Sequence, residues 1–150
     1  MKQSVFFALL FSLIGHQRCW AQLPPPALAL DHAAICVHDL KVSTDFYKSV
    51  LGLEEIPNPF NDGIHTWFRI GSHLQLHVIQ RNCAVAPEKN VHLCFRTTAL
   101  PELANYLNKR NVRYFNLKGD SQELTTRVDG VKQLYLQDPD GYWIEVNDAK

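Results

Sequence analysis

The chain has 150 residues, 46% of them apolar and 20% charged, which is enough for one core and thin for two independent ones. Lys plus Arg balance Asp plus Glu at 15 each, so the basic excess that nucleic-acid or anionic-membrane binding requires is absent. No apolar run reaches the roughly 18 to 20 residues that cross a bilayer, which points to a globular domain.

The N-terminus reads differently from the rest. Lys2 precedes an apolar stretch from Val5 to Ile14, followed by Gly15 and a polar segment ending Cys19-Trp20-Ala21. This is the layout of a secretory signal peptide cleaved after Ala21, and it predicts export to a periplasmic or extracellular location with no membrane association afterwards. The expected organisation is a signal peptide at 1–21, a proline-rich linker at 22–30 and one domain over 31–150. Cleavage removes Lys2 and Arg18 and no acids, leaving 13 basic and 15 acidic residues, a net charge of −2. Cys36, Cys83 and Cys94 remain in a compartment that permits disulfides. An odd number allows at most one bridge, so no disulfide framework is expected, and Cys36 and Cys94 read as small apolar residues on buried strands.

Beyond the linker, His32, Ala34 and Cys36 alternate with Ala33, Ile35 and Val37, predicting a first strand. Ser43 reads as the cap of a helix that carries Phe46, Tyr47, Val50 and Leu51 on one face and stops at Gly52. A short strand at Glu54 to Ile56 and a loop from Pro57 to Gly63 come next. Strands Ile64 to Ile70 and His73 to Gln80 then turn at Gly71-Ser72. After a polar linker from Arg81 to Asn90 the same order returns. A strand from Val91 to Arg96 leads into a helix from Leu100 to Arg110 and a strand near Val112 to Phe115. A loop from Lys118 to Gly130 precedes strands Val131 to Leu136 and Tyr142 to Asn147, which turn at Asp138-Pro139-Asp140-Gly141. The pattern is an α+β fold of paired βαβββ modules, 31–80 and 90–148.

The repeat brings polar residues on apolar strands into correspondence. His32 and His92 open the first strand of each copy, 60 residues apart, and Gln75 and Glu145 interrupt the last strands, 70 apart, with the extra ten residues assigned to the longer second loop. Packed about a pseudo-twofold axis, two imidazoles, a carboxylate and an amide converge. That donor set suits Zn, Ni, Mn or Fe(II), and without a thiolate pair it does not suit a closed structural zinc site. His77, on the same face as Gln75, can replace or assist it as the fourth ligand. His38, His65 and His73 have no counterparts and read as solvated or loop residues. Arg96 and Arg127 are candidates to hold an anionic substrate, or equally to be halves of ion pairs.

Asp31-His32-Ala33-Ala34-Ile35, the stretch Phe46-Tyr47 through Leu51-Gly52-Leu53, and Gln137-Asp138-Pro139-Asp140-Gly141-Tyr142-Trp143-Ile144-Glu145 resemble the vicinal oxygen chelate superfamily. That group includes glyoxalase I, extradiol dioxygenases and the fosfomycin- and bleomycin-resistance proteins. The resemblance covers about residues 30–148. It implies a curved mixed sheet around a cup that holds one divalent metal on His32, His92 and Glu145, with Gln75 where glyoxalase I has a Glu. It further implies a glyoxalase I-like isomerase or lyase acting on a small vicinally oxygenated substrate by metal-assisted proton transfer, with Glu145 as the catalytic base. Cys36 stands where glyoxalase I places a glutathione-contacting Arg, which argues against glutathione as co-substrate, as does export. The resemblance also allows an Fe(II) extradiol-type dioxygenase using His32, His92 and Glu145, a non-catalytic binding protein of the bleomycin-resistance type, and a thiol transferase acting on fosfomycin. Members assemble the cup within one chain or between two, so a homodimer is among the expected forms.

Overall fold

The computed structural model describes residues 27–84 and 88–150; the expected signal peptide and most of the linker lie outside the described residues. In β1 (His32–Val37) the period of two turns Ile35 and Val37 into the core and leaves His32, Ala34 and Cys36 on the opposite face. α1 (Leu40–Ser49) is capped by Asp39 rather than Ser43: the Asp39 carboxylate accepts the Val42 N–H at 3.0 Å, whereas Ser43 is fully buried inside the helix. Asp39 has the extended backbone that a cap requires, and Gly52, at φ 68°, makes the left-handed exit expected of it.

β2 (Glu54–Ile56), β3 (His65–Arg69) and β4 (Gln75–Gln80) complete the first module, with strand order β1-β4-β3-β2 and β1 parallel to β4. The second repeats it with β5 (His92–Arg96), α2 (Leu100–Lys109), β6 (Tyr114–Phe115), β8 (Lys132–Gln137) and β9 (Trp143–Asn147), in the order β5-β9-β8-β6. A two-residue strand, β7 (Thr125–Thr126), pairs with β8 inside what reads in sequence as a loop; two β-branched residues favour that edge. The modules share one core, in which Tyr47, Phe68, Leu76 and Val78 meet Leu100, Leu107, Leu134, Leu136 and Ile144.

The Asp138-Pro139-Asp140-Gly141 turn does more than reverse the chain. One Asp138 oxygen accepts the Asp140 and Tyr142 N–H groups, and the other accepts the Tyr47 hydroxyl of α1 at 2.7 Å. Asp140 accepts the His38 N–H at 2.9 Å and the Ser43 hydroxyl at 3.0 Å, and the Tyr142 hydroxyl accepts the Cys36 N–H. The hairpin tip of the second module therefore clasps the start of α1 in the first. Burial pulls the Asp140 carboxyl upward, but the His38 and Ser43 bonds outweigh it and hold the group below its ordinary value. A depressed folded-state carboxyl contributes stability above its unfolded value, and that stability is lost as pH falls through the folded one. Asp140→Asn should therefore flatten the loss of stability below about pH 4, read as urea midpoints across a pH series. An unchanged slope would remove Asp140 from this role.

The cysteine expectation is corrected at two positions. Cys36 is bonded to Cys83, Cα to Cα 6.2 Å, and Cys94 is free and exposed. The Arg81 N–H donates to the Val37 carbonyl at 3.0 Å, which leads the chain leaving β4 back along β1 to Cys36. Both cysteines lie on the strand faces opposite the core, which explains why neither is buried. The bridge spans 47 residues, so loop entropy assigns it about 4 kcal/mol. Cys36→Ser with Cys83→Ser, or reduction, should lower stability by up to that amount in urea titrations.

Candidate metal centre

Strand register decides which positions of the two modules correspond. In the first, His32 lies opposite Gln75 and Ala34 opposite His77; in the second, His92 lies opposite Trp143 and Cys94 opposite Glu145. The counterpart of Glu145 is therefore His77, and that of Gln75 is Trp143, both 68 residues apart. β3 and β8 agree, since Trp67 faces His77 as Tyr135 faces Glu145. The expected equivalence of Gln75 with Glu145 is off by two residues, because the length difference between copies is eight rather than ten. A shift of two keeps the same face, so strand pattern alone does not expose it.

On the first sheet three rings stand side by side across β1, β4 and β3. His77 stacks on Trp67 at 3.9 Å and on His32 at 4.3 Å, centroid to centroid. Its Nε2 meets Gln75 Oε1 at 3.0 Å, making Gln75 a partner of His77. Burial first, and His32 second, push the His77 imidazole downward, favouring the neutral form that binds metal.

On the second sheet His92 Nε2 lies 3.3 Å from Glu145 Oε2, and His92 Nδ1 meets the Lys89 carbonyl at 2.8 Å. A carbonyl only accepts, so Nδ1 is the donor in the contact with Lys89. The Tyr135 hydroxyl donates to Glu145 Oε2 at 2.7 Å and the Asn147 amide to Oε1 at 2.9 Å. Burial raises the Glu145 carboxyl, but bonds from Asn147, Tyr135 and Cys94, with His92 nearby, bring it below its usual value. Burial and the same carboxylate push the Tyr135 hydroxyl upward and the Cys94 thiol to about 11. Lys89 reaches over this side: its Nζ donates to the Asn116 and Leu117 carbonyls and sits 4.4 Å from the Tyr135 ring centre.

The structure thus brings His32, Gln75 and His77 together, and separately His92 and Glu145. Among the described residues of one chain, no three His, Cys, Asp or Glu side chains gather closely enough to hold a metal ion. The donors fit a divalent cation chemically, as two half-sites. Arg127 is paired with Asp129 at 2.6 Å in the turn after β7, and Arg96 is exposed at the end of β5, on the face that carries His92 and Cys94. His65 is no solvated residue: its side chain is 15% exposed and bonded to Asp62. His73 is exposed in its loop as expected, and His38, although exposed, is tied to Asp140. Sequence reasoning missed Tyr135 and Asn147. The Asp138-to-Gly141 turn carried the signal, since folding the hairpin about Asp140 sets Tyr135 opposite Glu145 and Gln133 opposite Asn147. Nothing in the sequence marked Lys89.

The profile of the Glyoxalase/Bleomycin resistance protein/Dioxygenase superfamily matches residues 29–146, and the chain belongs to that superfamily. It is similar to YwbC of Bacillus subtilis, 26% identical over 126 residues, 79% of this chain and 96% of that protein. It is also similar to Glyoxylase I 4 of Arabidopsis thaliana, 25% identical over 128 residues, 79% of this chain and 69% of that protein. Among solved structures, oxidase ChaP-H2 shares the fold at a TM-score of 0.68 and 22% identity, covering 83% of this chain and 96% of that one. Members of the superfamily commonly use a divalent metal.

Proposed function

We propose that the protein is an exported, divalent-metal-dependent enzyme, a glyoxalase I-like isomerase or lyase for a small vicinally oxygenated substrate, with its site completed by a second copy of the chain. The observation that carries the reading is the pair of half-sites in matching register, His32 with His77 and His92 with Glu145. Two copies related by a twofold axis would join the first half-site of each chain to the second of the other. The similarity to Glyoxylase I 4 supports the reaction class, and the Cys36–Cys83 bridge supports export, because such bonds persist in oxidising compartments.

His32, His77, His92 and Glu145 would hold the metal, which when bound supplies Lewis acidity to two neighbouring substrate oxygens. The Lys89 carbonyl fixes the His92 ring, and Tyr135 and Asn147 fix the two Glu145 oxygens. Glu145, ionised at neutral pH, takes a proton from substrate carbon and returns it to the adjacent carbon. Tyr135 keeps its proton and so remains a donor beside that carboxylate. As a fourth protein donor, His77 would fill a position that a two-His-one-carboxylate iron site leaves open, which favours this reading over the dioxygenase.

Elemental mass spectrometry of protein purified without chelator should find about one Zn, Ni, Mn or Fe per chain, greatly reduced in His77→Ala and largely retained in Gln75→Ala. No metal after incubation with each ion would sink the catalytic reading and leave a ligand-binding cup.

A further inference from the structure

Lys89, in the turn that leads into β5, meets the second half-site in two ways. Its carbonyl accepts the His92 Nδ1 proton at 2.8 Å. Its side chain crosses two aromatic rings, with Nζ 4.4 Å from the centre of Tyr135 and 5.1 Å from that of Trp143. The same Nζ donates to the Asn116 and Leu117 carbonyls at 2.9 and 2.6 Å. Those carbonyls lie 27 and 28 residues along the chain, where β6 gives way to the segment that runs to β7. Both rings belong to the half-site: the Tyr135 hydroxyl donates to Glu145, and Trp143 lies opposite His92 in register.

The turn also has bonds of its own. The Val91 N–H donates to the Glu88 carbonyl at 2.9 Å, and the Glu88 carboxylate accepts from the Asn90 N–H and amide. Those bonds close the turn on itself, and Glu88 and Asn90 are exposed. What ties the turn to the second sheet is the half-buried Lys89 side chain, through two charge-assisted bonds and a cation over two ring faces. Two of its three N–H groups are spent on carbonyls, so this ammonium is built into the fold. With Lys89 anchored at its far end, the peptide that carries its carbonyl has little freedom to turn away from His92. A metal-ligating imidazole depends on such a bond, because the partner of its second nitrogen fixes the orientation of the ring.

We propose that Lys89 is a positioning residue for His92 and the strap that couples the segment between β6 and β7 to the metal centre. The inference rests on the reading of His92 as a metal ligand. Holding the His92 ring and ordering that segment then share one side chain. Metal on His92 protects the segment, and loosening the segment weakens the metal by the same factor, as linkage requires.

Two variants test this. Lys89→Met keeps an unbranched stem over the rings and removes the ammonium, and Lys89→Arg keeps charge and donors. Zinc titrated against a competing chromophoric chelator should bind about tenfold or more weakly to Lys89→Met, the scale of losing a group that orients a ligating His. Lys89→Arg should recover part of that affinity, and urea titrations check that both variants fold. A second arm uses metal-free protein. The ring nitrogen shifts of His92, assigned with His92→Gln, should leave their hydrogen-bonded position in Lys89→Met, and the amides of residues 117–124 should exchange faster. Zinc should slow that exchange in the wild type and not in Lys89→Met. A side chain that only stabilised the fold would move the urea midpoint and leave the His92 ring shifts in place. Unchanged His92 shifts with unchanged zinc affinity in Lys89→Met would overturn the proposal, since the turn alone would then hold the carbonyl. A wild type that binds no zinc, with His92 shifts that still move in Lys89→Met, would count against the metal and leave Lys89 as the residue that positions His92.

Discussion

Mixing a His32→Ala/His77→Ala chain with a Glu145→Ala chain should restore about a quarter of the wild-type metal content, although each variant alone binds little. Half of the randomly paired dimers combine the two variants, and in each of those one site joins the two intact half-sites while the other joins the two damaged ones. The expectation follows from the geometry: within one chain His32 and His77 sit on the first sheet, His92 and Glu145 on the second, and no group of three donors forms among the described residues. Co-expression of differently tagged chains and elemental analysis of the whole mixture make the measurement, and tandem purification of the mixed dimers should raise the figure to about half. Recovery of metal would establish a shared site. Tagged mixed dimers without metal would refute one, and full metal binding by either variant alone would show that four donors are not needed.

Asp138→Ala should produce a large loss of stability from outside the hydrophobic core, about 3 kcal/mol or more, because three donors that the carboxylate satisfies would lose their acceptor at about 1 to 3 kcal/mol for each one left buried. Those donors are the Tyr47 hydroxyl and the N–H groups of Asp140 and Tyr142. Asp138 is 5% exposed and Tyr47 fully buried, so water replaces little of what is lost. Tyr47→Phe should cost less, about 1 to 2 kcal/mol, because it removes one donor and leaves the turn's own bonds in place. Urea titrations of both variants make the comparison. Equal and small losses would mean that the clasp is not a main tie between the modules.

What was legible in the sequence is what depends on neighbours along the chain. The alternation of His32, Ala34 and Cys36 with Ile35 and Val37, the helix ended by Gly52, and the Asp138-to-Gly141 turn are local consequences of side-chain period and backbone preference. The repeat of these elements, with the motifs around His32 and Glu145, was enough for the fold and superfamily. The same reasoning brought out His32, His92 and Glu145, because a polar residue interrupting an apolar strand is visible without a partner. Ser43 shows where local reading stops. Its type suits a cap, yet its hydroxyl is drawn to Asp140, 97 residues away.

The rest was settled by contacts that sequence distance conceals. Parallel pairing of β1 with β4 and of β5 with β9 put His77, and not Gln75, in the place of Glu145, since a strand can slide by two residues without changing which face it shows. The return of the chain along β1 made Cys36 and Cys83 partners, and the hairpin tip became a clasp by reaching α1. Side-chain type and period thus determined the elements and most of the donor inventory. Only lateral register and packing between the modules decided which donors meet, because those depend on where strands far apart in the chain come to lie side by side.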